Sequence, residues 1–183
     1  MFSEGYKTPI GDRGFTLAEL MAVVVIMGVL STLAVVGYRK YLNSARSNEA
    51  VHMVGAIRAA EESYRSETLS YLDVSTSLDN YYPTTTPKDQ KVQWGGGTSE
   101  VARKWRVLNV TTDGAVYFGY SVIAGPPGPV VVKGTPGIPI TTTTAVEPWY
   151  IIQAKGNVNG DSVFSYCIGT SFNNQLYWKN EGE

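Results

Sequence analysis

The chain has 183 residues, of which 43% are hydrophobic and 17% are charged, and its formal net charge is −1 at pH 7. This length suits one domain with an appendage, and the balanced charge excludes the global basic excess of a typical nucleic-acid binder. The one cysteine, Cys167, excludes an intrachain disulfide and has no partners for a zinc site.

A short polar segment, residues 1–14, precedes a long apolar run. Within residues 15–38 the only charged side chain is that of Glu19. As a helix, residues 15–36 would extend over ~33 Å, which is enough to cross the core of a bilayer. The sequence therefore predicts a membrane-spanning helix that carries one acid near its start.

A secretory signal peptide is the alternative interpretation of this run, and it fits poorly. A signal peptide has a basic first region, an apolar core of about 7–15 residues and a cleavage site of small residues. Here the charges before the run cancel, the run is longer, and STLA at 31–34 is a weak cleavage site. A buried helix of a soluble protein fits less well still, because the run is apolar on every face.

The helical pattern continues beyond the apolar run but becomes amphipathic. Within residues 38–64 apolar side chains recur at steps of three and four, and most basic side chains lie off that stripe. Glu49 falls on the stripe and interrupts it. We predict one helix from about residue 15 to about residue 66, with a protruding apolar first half and a second half that packs on a sheet.

After a loop region at residues 67–104, strands are predicted. Asp113-Gly114 and Asn159-Gly160 are hairpin-turn signals, and strands joined by hairpins are antiparallel. A proline-rich segment between the second and third runs predicts an extended, exposed loop. The fold class is α+β, with a long N-terminal helix and a C-terminal antiparallel sheet of four to five strands. The predicted strands are residues 105–111, 115–124, 149–156, 162–169 and 175–179.

The stretch RGFTLAELMAVVVIMGVLSTLAVVGYRKYL, which begins at Arg13, resembles the N-terminus of type IV pilins and related pilin-like proteins. In that family the leader ends in a basic residue and a glycine, and a prepilin peptidase cuts after the glycine. The resemblance implies cleavage between Gly14 and Phe15, N-methylation at Phe15 and an assembly role for Glu19. It also implies a pilin fold with a leader peptide at 1–14, a transmembrane and filament-core helix half at 15–38, and a globular head at 39–183. The head is expected to comprise an amphipathic helix half at 39–66, loops at 67–104 and an antiparallel sheet at 105–183.

The physical chemistry of Glu19 agrees with that role. Cleavage after Gly14 would create an α-amine at Phe15. A bare carboxylate in hydrocarbon costs several kcal/mol or more, and pairing with an ammonium group recovers much of that cost. In the family this acid is thought to neutralise the terminal amine of a neighbouring subunit. The alternative is an acid that is merely tolerated at a membrane interface.

The resemblance implies a structural subunit of a type IV pilus, or fimbrium, with neither enzymatic activity nor a cofactor. The precursor would span the bacterial inner membrane once and then join an extracellular pilus or a periplasmic pseudopilus. Expected partners are other pilins, the prepilin peptidase and N-methyltransferase, the assembly platform and membrane lipid. The alternatives are a tip-located minor pilin that acts as an adhesin or a receptor for DNA uptake, a type II secretion pseudopilin, and an unprocessed single-pass membrane protein.

This chain departs from the family pattern in two respects. Val36 stands where pilins commonly have a helix-bending proline. Many pilins also close a C-terminal loop with a disulfide, which the lone Cys167 excludes. We therefore expect the long loops to hold the surface of the subunit, and Cys167, in an apolar strand, to be a buried and inert thiol.

Two further motifs have a functional and a simpler interpretation. Asn157, Asn159 and Asp161 place oxygen atoms at alternate positions, as in a calcium loop, but the Asn-Gly pair already predicts a hairpin turn. The segment RKWR at 103–106 combines basic charge with a ring that could stack on a base of DNA. Its simpler interpretation is a strand edge guarded by cations.

Overall fold

A computed structural model describes residues 14–141 and 144–182, so the predicted leader lies outside the described residues except for Gly14. The chain divides into two units, Met1–Arg39 and Lys40–Glu183. The elements are α1 (Leu17–Thr68), α2 (Glu100–Val107), β1 (Gly119–Gly125), β2 (Gly128–Pro129), β3 (Thr144–Ala145), β4 (Trp149–Gly156), β5 (Ser165–Thr170) and β6 (Leu176–Lys179).

The described part of the first unit consists almost entirely of the beginning of α1, and all its side chains are exposed. The helix has the length and composition to cross a membrane, with a mean hydropathy of 2.6 in its most apolar window. Two hydroxyl groups in the run bond to carbonyl groups of the helix itself. Ser31 Oγ donates to Met27 O at 2.7 Å, and Thr32 Oγ1 donates to Val29 O at 2.7 Å. These bonds satisfy the two polar side chains without water, as an apolar environment requires.

The second unit is built on an antiparallel sheet of four strands in the order β1-β4-β5-β6. A separate two-stranded sheet pairs β2 with β3. The predicted α+β fold and the antiparallel pairing across the Asn159-Gly160 turn are confirmed. Strand β4 has its predicted bounds, and β1, β5 and β6 overlap the predicted runs.

The amphipathic part of α1 covers one face of this sheet, as the sequence predicts. Its buried stripe includes Ala50, Val54 and Ile57, which belong to one apolar cluster with residues of β1, β4 and β5. The helix approaches closely at Gly169 of β5, where a Cβ atom would lie 2.8 Å from Val54 Cγ1. A larger residue at 169 would force the helix away from the sheet.

The proline-rich segment is a loop outside the central sheet, as predicted, but it is only partly exposed because it covers the opposite face of the sheet. We call residues 130–141 the strap. Their apolar side chains complete a second cluster over the face opposite α1. Proline excludes these residues from a central strand, but it leaves alternate side chains free to pack, and Val131 is exposed between two that do so. The strap contributes Val130, Val132, Ile138 and Ile140, which pack against a cluster that includes Leu78, Ile123, Ile151 and Ile168.

Hydrogen bonds also hold the strap. Gly137 N donates to Oε1 of the buried Gln153 at 2.7 Å, and Gln153 Nε2 donates to Thr135 O at 3.3 Å. Both carboxylate oxygens of Asp79 accept from Thr135 N, at 3.2 and 3.1 Å. The sheet is therefore covered on both faces, by α1 on one and by the strap on the other, and the strap is held without a disulfide.

The predicted first strand, residues 105–111, is wrong, because Glu100–Val107 form α2. Ser99 caps this helix, since its Oγ accepts from Ala102 N at 3.1 Å. Ala102 and Trp105, three residues apart, are buried on one side. The Asp113-Gly114 turn therefore does not join two strands of the sheet. Between this turn and the start of β1, Val116 pairs with Val92 in an isolated bridge.

Glu49, which interrupts the apolar stripe of α1, ties the helix to the chain just before β1. Its Oε1 accepts from Tyr117 N at 2.7 Å and from Phe118 N at 3.3 Å. These two amides precede the regular strand pairing, so the carboxylate supplies an acceptor that the sheet does not. Burial raises the pKa of Glu49, and the amide bonds oppose that shift.

Glu61 is a second acid on the buried stripe of α1, and it is fully buried. Its Oε2 accepts from Leu72 N at 2.9 Å, while its Oε1 has no partner among the described residues. Burial, with smaller contributions from Glu62 and Asp73, raises the pKa of Glu61 to about 8 from 4.5. The side chain is therefore mostly protonated at neutral pH.

Replacement of Glu61 by glutamine tests this assignment. Because the folded protein binds a proton at Glu61 that the unfolded chain loses above pH 4.5, the free energy of unfolding should fall as pH rises from 4.5 to 8. Glu61→Gln keeps the shape without the charge, so it should match the native chain at pH 4.5. At pH 8 its free energy of unfolding should exceed that of the native chain by several kcal/mol, because each unit of pKa shift is worth ~1.4 kcal/mol. Chemical denaturation of the full chain in detergent measures this difference.

Glu67→Gln, at an exposed position of the same helix, is the control and should leave the pH dependence unchanged. An equal effect of Glu61→Gln at both pH values would contradict the assignment.

Candidate processing and assembly site

The Gly14–Phe15 peptide bond lies in accessible, non-helical backbone. Gly14, Phe15 and Thr16 precede the first helical residue, and all three are exposed. Phe15 is 84% exposed, and among the described residues no atom beyond the chain neighbours of Gly14 lies within 4 Å of the place where its Cβ atom would be. Proteolysis favours exposed backbone outside regular structure, so the predicted cleavage position is open to a peptidase.

Thr16 and Glu19 form a reciprocal capping box at the start of α1. Thr16 N and Thr16 Oγ1 each donate to Glu19 Oε2 at 2.8 Å, and Glu19 N donates to Thr16 Oγ1 at 3.3 Å. The box satisfies two amide groups that have no partner inside the helix. Thr16 is the residue that the sequence argument missed, although the pattern T-x-x-E before an apolar run is the known signal for this cap.

The capping box also fixes where the charge of Glu19 is placed. The carboxylate lies in the first turn, where the helix dipole favours a negative charge. Among the described residues, both hydrogen bonds that it accepts go to Oε2, so Oε1 can accept from a further donor. The next charged residue along the chain is Arg39. The carboxylate is therefore a preoriented, single charge at one end of an apolar helix.

The basic segment at 103–106 does not join its aromatic ring to its cations on one surface. Trp105 is 1% exposed and packs against Tyr82 and Trp94, with ring centroids 6.2 and 5.2 Å away. Lys104 Nζ donates to Asp73 O at 2.9 Å. The ring of Trp105 is therefore buried and cannot stack on a base of DNA as the sequence suggested. The simpler interpretation, a strand edge, is also wrong, because these residues lie in α2.

The calcium candidate is a hairpin loop whose oxygen atoms bond to the loop itself. Asn157 Oδ1 accepts from Gly160 N at 2.8 Å. Asn159 Oδ1 accepts from Asp161 N at 3.1 Å, and Asp161 Oδ1 accepts from Val163 N at 2.8 Å. Among the described residues, no group of three or more His, Cys, Asp or Glu side chains could hold a metal ion. The three predicted ligands do lie together, and their bonds are those of a turn.

Cys167 lies on β5 in the cluster beneath α1, where it is a free, buried thiol, as predicted. Burial raises its pKa to about 12. Because the thiolate is the nucleophilic form, this cysteine is inert near neutral pH.

Comparison with known proteins places the N-terminal geometry in a family. Residues 11–35, which include Gly14, Phe15 and Glu19, match the model of the family described as the prokaryotic N-terminal methylation motif. The type IV major pilin protein PilA of Myxococcus xanthus (strain DK1622) is 28% identical over 178 residues, which cover 88% of this chain and 80% of PilA. The chain therefore carries this N-terminal motif and is similar, over most of its length, to a type IV major pilin.

Other pilin relatives match over shorter segments. A fimbrial protein of Pseudomonas aeruginosa is 37% identical over 71 residues, 39% of this chain and 46% of that protein. Fimbrial protein EcpC of Eikenella corrodens is 36% identical over 56 residues, 31% of this chain and 37% of its own length. The chain thus spans less than half the length of these two relatives. No solved structure gives a significant match.

The capping box predicts the effect of removing the Thr16 hydroxyl. Thr16→Ala should speed hydrogen exchange of the bonded amides in the first turn, those of Glu19 and Leu20, about five-fold, because loss of an N-cap costs ~1 kcal/mol. Hydrogen exchange followed by mass spectrometry on the full chain in detergent micelles measures it. Thr32→Ala is the matched control, since that hydroxyl bonds within the helix and should leave the first turn unchanged. Equal exchange of the first turn in both variants would contradict the capping role.

Proposed function

We propose that this protein is a structural subunit of a type IV pilus or pilus-like filament, cut between Gly14 and Phe15, methylated at Phe15 and assembled through α1. The single observation that carries the proposal is the capped carboxylate of Glu19 at the start of an exposed apolar helix. An accessible Gly14–Phe15 bond directly before it supports the cleavage. The names of the relatives, a major pilin and fimbrial proteins, support the filament.

The apolar helix needs an apolar environment at every stage. Large side chains such as Leu17, Val24 and Leu33 are more than half exposed, and burial of each is worth ~1.5–3 kcal/mol. Membrane lipid covers them before assembly, and the same helix of neighbouring subunits covers them in the filament. Because lipid is as apolar as leucine, the transfer gains little hydrophobic free energy. Close packing and the pairing of charge must therefore guide assembly.

Glu19 supplies the charge that selects one arrangement. Before cleavage the nitrogen of Phe15 is an uncharged amide, and after cleavage it is an α-amine, which is largely protonated below a pKa of about 7.7–8.0. An ion pair in an apolar environment repays its desolvation only if geometry and hydrogen bonding are good. Oε1 of Glu19 accepts a hydrogen bond from the terminal ammonium group of a neighbouring subunit when the two helices have one axial register. A shifted register leaves both the carboxylate and the ammonium group unpaired.

The proposal divides the chain into the leader at 1–14, a membrane and filament-core half at 15–38 and a head at 39–183. The boundary between the two structural units, after Arg39, supports this division. The precursor spans the inner membrane once and meets the prepilin peptidase and the assembly platform there. The head is then the part of the subunit that forms the surface of an extracellular pilus.

The Glu19→Ala variant separates processing from assembly. It should be cut and methylated normally, because the cleaved bond precedes Glu19, but it should yield less than about a tenth of the native filaments, since one unpaired charge costs several kcal/mol. Intact mass of the membrane fraction reports the mature terminus at methylated Phe15, and the amount of sheared filament reports assembly.

The control for that experiment is Glu67→Ala, an exposed acid near the other end of α1, which should assemble normally. A mass that retains Met1 would contradict the processing, and normal filaments made only of Glu19→Ala subunits would contradict the assembly role.

A further inference from the structure

A polar pocket lies where residues 181–182 meet the part of α1 that follows the apolar run. Its volume is about 490 Å³. Because a water molecule takes up ~30 Å³ in the liquid, the pocket has room for a polar group of several non-hydrogen atoms. The described residues that line it all belong to the second unit, so one unit alone forms the pocket. They are Lys40, Asn43, Ser44, Asn159, Glu181 and Gly182.

Two opposite charges line this pocket without pairing with each other. Lys40 and Glu181 are both exposed, and among the described residues neither takes part in an ion pair. Asn43 and Ser44 follow Lys40 by three and four residues, so the three polar groups lie on one face of the helix. The helix therefore supplies a cation with neutral hydrogen-bonding groups, and the segment at 181–182 supplies an anion.

Hydrogen bonds hold the segment that carries Glu181. Asn180 Nδ2 donates to Phe164 O at 3.2 Å, and Asn43 Nδ2 donates to Gly182 O at 3.0 Å. The residues on both sides of Glu181 are therefore anchored, one of them directly to α1. The second N–H of Asn43 keeps its capacity to bond a ligand. The backbone that carries the two charges is thus ordered before a ligand binds, which lowers the cost of binding.

The sequence places the helix side of this pocket close to the level of lipid headgroups. Lys40 follows Val36, the last residue of the apolar run, by four residues, which is ~6 Å along a helix. A bilayer has an apolar core of ~30 Å and a total thickness of ~40–45 Å, so each headgroup layer is ~5–8 Å thick. When the apolar run spans the core, Lys40 lies in this layer and the pocket lies next to the headgroups.

We propose that this pocket binds the phosphoethanolamine headgroup of a membrane phospholipid. The phosphate accepts hydrogen bonds from Lys40, Asn43 and Ser44, and the ammonium group donates to the carboxylate of Glu181. A choline headgroup carries the same two charges but has no N–H to donate, and a glycerol headgroup has no cation for Glu181. The inference rests on the proposed membrane-spanning precursor, because that proposal brings the pocket to a membrane surface.

Native mass spectrometry of the full chain tests the proposal. The chain is inserted into nanodiscs of phosphatidylethanolamine, phosphatidylcholine and phosphatidylglycerol in equal parts, and the lipid that stays bound after release is identified. Phosphatidylethanolamine should be retained about five-fold more than either of the other lipids, since one charge-assisted contact at an exposed site is worth up to a factor of about five.

Variants separate the two halves of the site. Glu181→Gln should lower the retention of phosphatidylethanolamine about five-fold and leave that of phosphatidylglycerol unchanged, because only the first has an ammonium group. Lys40→Gln should lower the retention of both, because both contain the phosphate. Lys88→Gln removes an exposed cation that does not line the pocket and should change neither. Circular dichroism of each variant verifies that the head remains folded.

Two lipid results would overturn the proposal: equal retention of the three lipids, and a preference for phosphatidylethanolamine that survives Glu181→Gln. Binding of soluble phosphoethanolamine in detergent without any lipid preference would also overturn it and would assign the pocket to a soluble ligand. Flotation with lipid vesicles reports separately whether the chain inserts. A chain that inserts without a lipid preference contradicts this inference alone, whereas a chain that fails to insert contradicts the membrane-spanning precursor as well.

Discussion

The carboxylate of Glu19 is the constraint on which the account of this protein depends. It is the one charge between residues 15 and 38, and it lies in a segment that must be covered by lipid or by other helices. Thr16 satisfies part of its bonding capacity and fixes its position in the first turn. The charge itself remains to be neutralised, and the proposed cleavage would supply an α-amine at Phe15 for that purpose. In this proposal, processing creates the partner that makes the acid tolerable in a filament.

The head follows a different principle, in which a sheet is covered on both faces by segments of its own chain. On one face α1 packs its buried stripe and contributes Glu49 and Glu61, whose carboxyl groups accept backbone amides. On the other face the strap packs its isoleucine and valine side chains and is held by Asp79 and Gln153. A chain with one cysteine therefore covers both faces of its sheet by packing and hydrogen bonding.

The long helix and most strands of the sheet could be predicted from the sequence, because hydrophobic periodicity determines where they lie. The helix expected at about 15–66 is Leu17–Thr68, and β4 has the expected bounds.

The sequence prediction fails in segments where local signals compete. At 105–111 the valine, leucine and tryptophan content favours a strand, but the Ser99 cap and the burial of Trp105 favour a helix. In the strap, proline density indicated exposure, and only the three-dimensional structure shows which alternate side chains find the sheet. The capping box at Thr16 could be predicted from the pattern T-x-x-E before the apolar run, because a threonine and a glutamate at this spacing satisfy each other's amide groups.

A direct test of the central claim is to measure which amine the Glu19 carboxylate contacts in a filament. Filaments can be assembled from two batches of subunits, one labelled with ¹⁵N in phenylalanine and the other with ¹³C at the glutamate carboxyl carbon. In solid-state NMR, a charge-assisted bond of about 2.7–2.9 Å should give a cross-peak between the α-amine ¹⁵N and a carboxylate ¹³C of a different chain. The cross-peak should disappear when the ¹³C-labelled subunits carry Glu19→Ala alongside native ¹⁵N-labelled subunits. A cross-peak confined to filaments in which both labels share one chain, or none at all, would contradict the claim that this acid pairs with a neighbour's terminus.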